Sequence, residues 1–246
     1  MQKITLVGNG FVGKNVSEKF KSKIFSSYTS SNIHDSLSLS HDLVVSAAPS
    51  AKKWLANKNP EQDFASCKNL VENVLEMQKE WLFHFSTIDV YAFPGNSPDE
   101  DCQDFSSTPY GKNRRWVEEQ FLSSGKCTIV RLPAVFGPHL SKNYLFDLMN
   151  DNNISSIKAN SEFQWLHIKR SFDLIENCKS LPQIINLAIP PVNTFQLIRN
   201  FFPQKLQLVD TQSEGSRYCF VTKHSPKGFI MSEEEMLKDL KDFVMS

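Results

Sequence analysis

Short apolar runs alternate with helically spaced apolar residues along the first half of the chain. Ile4-Thr5-Leu6-Val7 ends on the hexamer Gly8-Asn9-Gly10-Phe11-Val12-Gly13. That order predicts a strand, a glycine loop and a helix over 11–20. Residues 23–28 read as a second strand and 42–48 as a third. The third is a nearly continuous apolar run, as in a strand buried on both faces of a parallel sheet. Over 63–78, Leu70, Val71, Val74, Leu75 and Met77 recur at helical spacing. A fourth strand over 81–85 follows, then a polar, acidic loop over 96–108. A helix over 110–122 carries Trp116, Val117 and Phe121, and 127–132 is a further strand. Alternation of this kind predicts an α/β fold with a doubly wound parallel sheet.

Past Gly137-Pro138 the pattern becomes irregular, with Asn and Ser frequent between residues 150 and 161. Ile184-Ile185-Asn186-Leu187-Ala188 reads as a late strand, about 183–189, that rejoins the sheet. Residues 194–202 and 232–244 read as helices. Ser232 followed by Glu235 forms a capping box for the last one. The expected organisation is a dinucleotide-binding domain over 1–137 and a small substrate-facing lobe over 138–246. No repeat or low-complexity linker separates them, so one compact unit is expected.

Composition narrows the functions. Lys and Arg total 27, as do Asp and Glu, so no net charge draws the chain to nucleic acid or acidic membranes. No transmembrane run or signal peptide is apparent. The five cysteines are dispersed without a CxxC pair, which suggests reduced thiols in a cytoplasmic protein. The six histidines show no metal spacing.

The glycine loop carries the first chemistry. Gly8 permits a tight turn, Gly10 lets backbone approach a pyrophosphate, and Gly13 lets the helix pack on the strand. Asn9, Phe11 and Val12 complete the loop, and free N–H groups at the helix start face the anion. Ser86 and Thr87 end the fourth strand, where ligands bind in open α/β sheets. In Pro109-Tyr110-Gly111-Lys112-Asn113-Arg114, Tyr110 and Arg114 share a helix face and Lys112 does not.

Four motifs, in order, resemble the extended short-chain dehydrogenase/reductase family of nucleotide-sugar epimerases, dehydratases and reductases, with the dTDP-4-dehydrorhamnose reductases nearest in flavour. They are Gly8-x-Gly10-x-x-Gly13, Ser86-Thr87-x-x-Val90-Tyr91, Tyr110-Gly111-x-x-Arg114 with Glu118 beyond, and Arg131-Leu132-Pro133-Ala134-Val135-Phe136-Gly137-Pro138. The segment from Asp42 to Pro49 is similar to the family strand that lies along the cofactor. The likeness covers about residues 1–140. It implies a Rossmann-type domain and hydride transfer with bound NADP or NAD.

The resemblance also implies roles. Tyr110 is the general acid/base, and Thr87 hydrogen-bonds the same substrate oxygen, with Ser86 as the alternative. Ala47, Ala48, Pro49 and Pro133 line the cofactor. A nucleotide-linked sugar is the substrate, and a homodimer packs the helices over 63–78 and 110–122. A phenol needs a nearby cation to work near neutral pH. The family places a lysine four residues after the tyrosine; here Arg114 stands there, with Glu118 in its expected place. Arginine keeps the charge and can reach ribose hydroxyls, but it cannot relay a proton.

Family members that prefer NAD end the second strand with an acid that binds the ribose 2′-OH. Here Ser30 and Ser31 follow Tyr28-Thr29, and no carboxylate precedes Asp35. That favours NADP over NAD, although no arginine stands nearby. Among later residues, Trp165 could stack on a base, Lys169 or Arg170 could pair with a diphosphate, and His139 could face the site. Reductase and epimerase activities both fit. The competing class is a non-catalytic NAD(P)-binding sensor or scaffold, which Arg114 favours and the pair Thr87 and Tyr110 opposes.

Overall fold

The computed structural model describes residues 3–245. In chain order the elements are β1 (Ile4–Val7), α1 (Phe11–Lys19), β2 (Ile24–Tyr28), β3 (Ser40–Ser46), α2 (Lys53–Lys58), α3 (Pro60–Glu76), β4 (Gln78–Thr87), α4 (Pro109–Ser123), β5 (Cys127–Leu132), β6 (Ala134–Phe136), α5 (Tyr144–Met149), β7 (Glu162–Phe163), β8 (Trp165–His167), α6 (Phe172–Glu176), β9 (Ile184–Asn186), β10 (Val192–Asn193), α7 (Thr194–Phe201) and α8 (Glu233–Val244).

The contact pattern divides the chain into two units. The first holds residues 1–93, 102–131 and 171–185, and the second holds 94–101, 132–170 and 186–246. Their segments interleave because the late strand β9 joins the main sheet beside β5 and carries 171–185 with it.

The main sheet runs β2-β1-β3-β4-β5-β9. β1 pairs in parallel with β2 on one side and β3 on the other, and β3 pairs in parallel with β4. Only β2 lies outside β1, so the order reverses between β1 and β3. In the six-strand dinucleotide-binding order two strands lie on that side. Here residues 29–39 carry the chain from β2 to β3 with one short 3₁₀ turn, Ile33–Ser36, and no helix.

Burial follows position in the sheet. Leu43, Val44 and Val45 of central β3 are fully buried, and every residue of β5 is buried. Edge strand β2 alternates instead, with Phe25 and Ser27 exposed. Val71 and Val74 of α3 and Val117 and Phe121 of α4 pack into one core cluster with Val44, Leu82 and Ile129 of the sheet. Those two helices therefore spend an apolar face on the sheet, as their sequence spacing predicts.

The second unit holds two short two-stranded sheets, β6 with β8 in parallel and β7 with β10 antiparallel. Its helix α8 begins with the capping box, Ser232 and Glu235 each accepting from the other's backbone N–H.

Candidate active site

The carboxyl ends of the first four strands meet at one edge of the sheet. Val7 is level with Tyr28 and Ser46, and Ser46 is level with His84. The glycine loop, the serines after β2, Ala47-Ala48-Pro49 and Ser86-Thr87 all leave the sheet on that edge.

The three loop glycines have different reasons to be glycine. Gly8 has a positive φ of 106°, and a Cβ there would sit 2.7 Å from the Ala47 carbonyl oxygen. A Cβ on Gly13 would sit 2.1 Å from the Gly8 carbonyl oxygen, so α1 closes onto the loop only at that residue. A Cβ on Gly10 would meet nothing within 4 Å. Protein packing therefore demands glycine at 8 and 13 and leaves position 10 open. Gly10 is the N-cap of α1 and no side chain caps it, so the first N–H groups of that helix remain available to an anion. Asn9 and Gly10 are exposed, and Phe11 and Val12 half-buried. This cradle fits a dinucleotide's pyrophosphate.

Past β2, Thr29, Ser31 and Asn32 bond among themselves. Thr29 Oγ1 lies 2.8 Å from Ser31 Oγ, and the Asn32 side-chain oxygen accepts the Thr29 N–H at 2.8 Å. Ser30 is exposed beside them. These groups are uncharged.

Helix α4 starts at Pro109, with Thr108 accepting the Gly111 N–H at 3.2 Å as its cap. The Tyr110 N–H donates to Asn57 Oδ1 at 3.0 Å. Gly111 allows the approach to the turn that follows β4: a Cβ there would sit 2.4 Å from the Asp89 carbonyl oxygen. Tyr110 is thereby held close to Thr87, whose hydroxyl helps lower its pKa. Burial pushes the phenol up, Arg114 pulls it down, Asp89 pushes it up, and Thr87 and Lys53 pull it down; the balance leaves it at about 12. Tyr110 is thus a neutral phenol, and a proton donor, throughout the physiological range.

Arg114 stacks its guanidinium over the Tyr110 ring at 4.4 Å. Its fork is occupied by the protein. Nη1 donates to Asp63 Oδ2 at 2.7 Å and to Cys67 Sγ at 3.2 Å. Nη2 donates to Asp63 Oδ1 at 2.9 Å and to the Ser50 carbonyl at 2.6 Å. Burial alone would raise the Asp63 carboxyl, but hydrogen bonds from Arg114 and Asn113 outweigh it and hold it below its ordinary value. Burial opposes the Arg114 charge, and Asp63 more than restores it.

Four residues of the motifs form a separate buried network. Glu118 accepts from Arg131 Nε at 2.9 Å and Nη2 at 2.6 Å, and from Ser86 Oγ at 2.6 Å. Arg131 Nη1 donates to the Tyr91 hydroxyl at 2.7 Å. Burial would raise Glu118, yet Arg131 holds it ionised and low. Ser86 is therefore committed to the interior. Of the two adjacent hydroxyls, Thr87 stands outside this network and accepts the Asp89 N–H at 3.2 Å.

Pro133 is buried between β5 and β6. The remaining expected residues lie in the second unit. Trp165 is buried and packs edge-to-face on Phe163, so it offers no open ring face to a base. Arg170 Nε donates to Asp239 Oδ2 at 2.7 Å, and Lys169 pairs with the same carboxylate at 2.8 Å. The cations expected to meet a diphosphate thus share an internal counter-ion. His139 is exposed, with a left-handed φ of 64°. Gln164, uninformative in sequence, is buried and bonds both backbone groups of Phe220 at 2.9 Å.

Sequence reasoning missed Asp63 and Lys53. Each is an ordinary charged residue on a helix, and its role depends on a partner far along the chain. Among the described residues no cluster could hold a metal ion, and no helix is long and apolar enough to cross a membrane.

Solved structures share this fold over nearly the full chain. A UDP-glucose 4-epimerase from Thermotoga maritima with UDP-glucose matches with a TM-score of 0.75 at 13% identity, covering 99% of this chain and 98% of its own. A dTDP-4-dehydrorhamnose reductase from Bacillus anthracis in complex with NADP matches with 0.75 at 15% identity, covering 99% of each chain. A UDP-N-acetylglucosamine 4-epimerase from Methanobrevibacter ruminantium reaches 0.78 at 13% identity, covering 99% and 97%. The chain has their fold. No protein-family model matches it, and no curated protein matches it in sequence. At this identity the likeness is one of architecture, and function rests on the site.

Proposed function

We propose that the chain is an NAD(P)-dependent oxidoreductase or epimerase acting on a nucleotide-linked sugar, with Tyr110 as the acid/base. The buried Tyr110, stacked under Arg114 near the sheet edge that carries Thr87 and the open glycine loop, supports this most directly. When bound, the nicotinamide supplies or accepts hydride. Gly8 to Gly13 hold the pyrophosphate, with Ala47, Ala48 and Pro49 alongside. Thr87 orients the substrate oxygen. Tyr110 gives that oxygen a proton in reduction and takes one in oxidation. Residues 29–32 after β2 are uncharged, with no carboxylate before Asp35 to repel a 2′-phosphate, and this favours NADP. A nucleotide sugar fits because two structures that share the fold hold UDP-glucose and UDP-N-acetylmuramic acid.

The occupied fork of Arg114 favours a second reading. A guanidinium bonded to Asp63, Cys67 and Ser50 is not set to grip a ribose. A protein that binds NAD(P) without turnover would show this feature.

One experiment separates them: NADPH oxidation with a panel of nucleotide-linked 4-keto-6-deoxysugars, in wild type, Tyr110→Phe and Arg114→Lys. Wild-type turnover that falls by about 10²-fold or more in Tyr110→Phe supports the enzyme. NADPH binding with no turnover, and activity gained in Arg114→Lys, supports the binding protein.

A further inference from the structure

Tyr110 is buried, and a buried phenol gives up its proton reluctantly unless a cation stands against the anion it leaves behind. Arg114 takes that place, its guanidinium 4.4 Å from the centre of the Tyr110 ring. A spacing of four residues along α4 allows this contact without enforcing it, because arginine has many rotamers. What enforces it comes from α3. Asp63 Oδ2 accepts from Arg114 Nη1 at 2.7 Å, and Asp63 Oδ1 accepts from Nη2 at 2.9 Å. Both nitrogens of the fork meet one carboxylate, so its plane is fixed. Asp63 accepts in turn from Asn113 Nδ2 at 2.8 Å and stands in the first turn of α3, where the helix dipole favours a negative charge. The pair is shielded from water, with side-chain exposures of 10% at Asp63 and 4% at Arg114.

We propose that Asp63 is a positioning residue for Tyr110: it pins the Arg114 guanidinium over the ring, where that charge steadies the phenolate formed when the proton leaves. This rests on the reading of Tyr110 as the acid. In the reducing direction the Tyr110 O–H bond breaks and its proton forms the product hydroxyl, while the hydride comes from the reduced nicotinamide. The negative charge left on the phenol then faces Arg114 across the ring, where burial leaves the attraction little screened. Asp89, on the turn after β4, and Lys53, on α2, act on the same phenol in opposite senses. Cys67 and the Ser50 carbonyl complete the seat of the guanidinium. The occupied fork thus trades a grip on ribose for a fixed charge beside the acid. Asp63 acts through Arg114 and touches no substrate.

Asp63 carries charge as well as position, and the two roles predict opposite results. If it pins the guanidinium, its removal lets Arg114 leave the ring, and Tyr110 becomes a poorer acid. If it only offsets the Arg114 charge, its removal leaves that charge stronger, and Tyr110 becomes a better acid. The test uses Asp63→Ala, Asp63→Asn, Arg114→Gln and the double variant of Asp63→Asn with Arg114→Gln, all in the full chain. Turnover is counted per NADPH-binding site, so that unfolded protein does not enter. In the NADPH assay, Asp63→Ala and Asp63→Asn should each lower kcat about tenfold with KM within about twofold. The double variant should be no slower than Arg114→Gln alone, because Asp63 works through that residue. Unchanged or raised kcat in the Asp63 variants, or full additivity in the double variant, overturns the proposal.

The place of the guanidinium can also be read without turnover. The Tyr110 ring current should move the Arg114 side-chain proton signals upfield, an effect assigned with Arg114→Lys and removed in Tyr110→Leu. Loss of that upfield shift in the two Asp63 variants supports the pinning, and its retention overturns it. Absence of Tyr110-dependent turnover in the wild type would defeat the functional reading alone, and the ring-current shift would then decide whether Asp63 sets Arg114.

Discussion

The glycine loop and the start of α4 face the same edge of the sheet but are built in opposite ways. At the loop, Gly10 has no neighbour within 4 Å of where a side chain would begin, and the α1 terminus lacks a side-chain cap. At α4, Tyr110 is buried and Arg114 bonds three protein partners. The loop is open to a ligand, while the tyrosine is held by the protein itself. A cofactor cradle needs empty space and free N–H groups, whereas an acid/base needs fixed orientation. The cost at the α4 end is that its cation is no longer free for a ribose.

The contrast can be tested by substitution, beginning with the strongest effect. Gly13→Ala puts a Cβ 2.1 Å from the Gly8 carbonyl oxygen. It should destabilise the fold by about 4 kcal/mol or more, read by urea denaturation. Asp63→Ala strips the buried Arg114 of its bidentate partner and should cost about 3 kcal/mol in the same assay. If it costs nothing, the α4 end is not held as described.

His84 sits on β4 beneath both regions, with Nδ1 3.1 Å from Ser46 Oγ. Burial pushes its pKa from 6.5 down to about 4. The unfolded chain therefore binds the proton more readily in that window. Stability from a neutral His84 is complete above pH 6.5 and lost as the pH falls toward 4, by about 3 kcal/mol. His84→Gln should flatten this part of the stability–pH curve. A slope unchanged by the substitution would assign it to other groups.

Gly10→Ala should be the mildest change for the fold, within about 1 kcal/mol of wild type. Its NADPH affinity should nevertheless fall at least about tenfold, because a Cβ there would stand where backbone approaches phosphate. Equal affinity in Gly10→Ala would mean that no dinucleotide uses the loop.

Much of the first unit could be read from local pattern. The strand over Cys127–Leu132 was expected with those bounds, and the helix expected over 110–122 is α4, Pro109–Ser123. β4 is longer than expected, Gln78–Thr87 against 81–85, because its start is polar and half exposed and carries little apolar signal. The position of Ser86 and Thr87 at the carboxyl end of the fourth strand also follows from local pattern. The second unit was far less legible. Its strands are two or three residues long, too short for a period to show. Trp165, an aromatic beside cations, suggested a ligand platform, but its neighbour in space is Phe163 and it is buried.

The sequence by itself determined the alternation of strands and helices, the glycine loop and the departure at Arg114, because each depends on residues close together in the chain. Tertiary structure alone decided the strand order, the commitment of Ser86 to Glu118, and the partners of Arg114 and Asp89. Asp63 lies 51 residues from Arg114, and Lys53 lies 36 from Asp89. No local period encodes such pairs; they exist only once the sheet has stacked its loops at one edge.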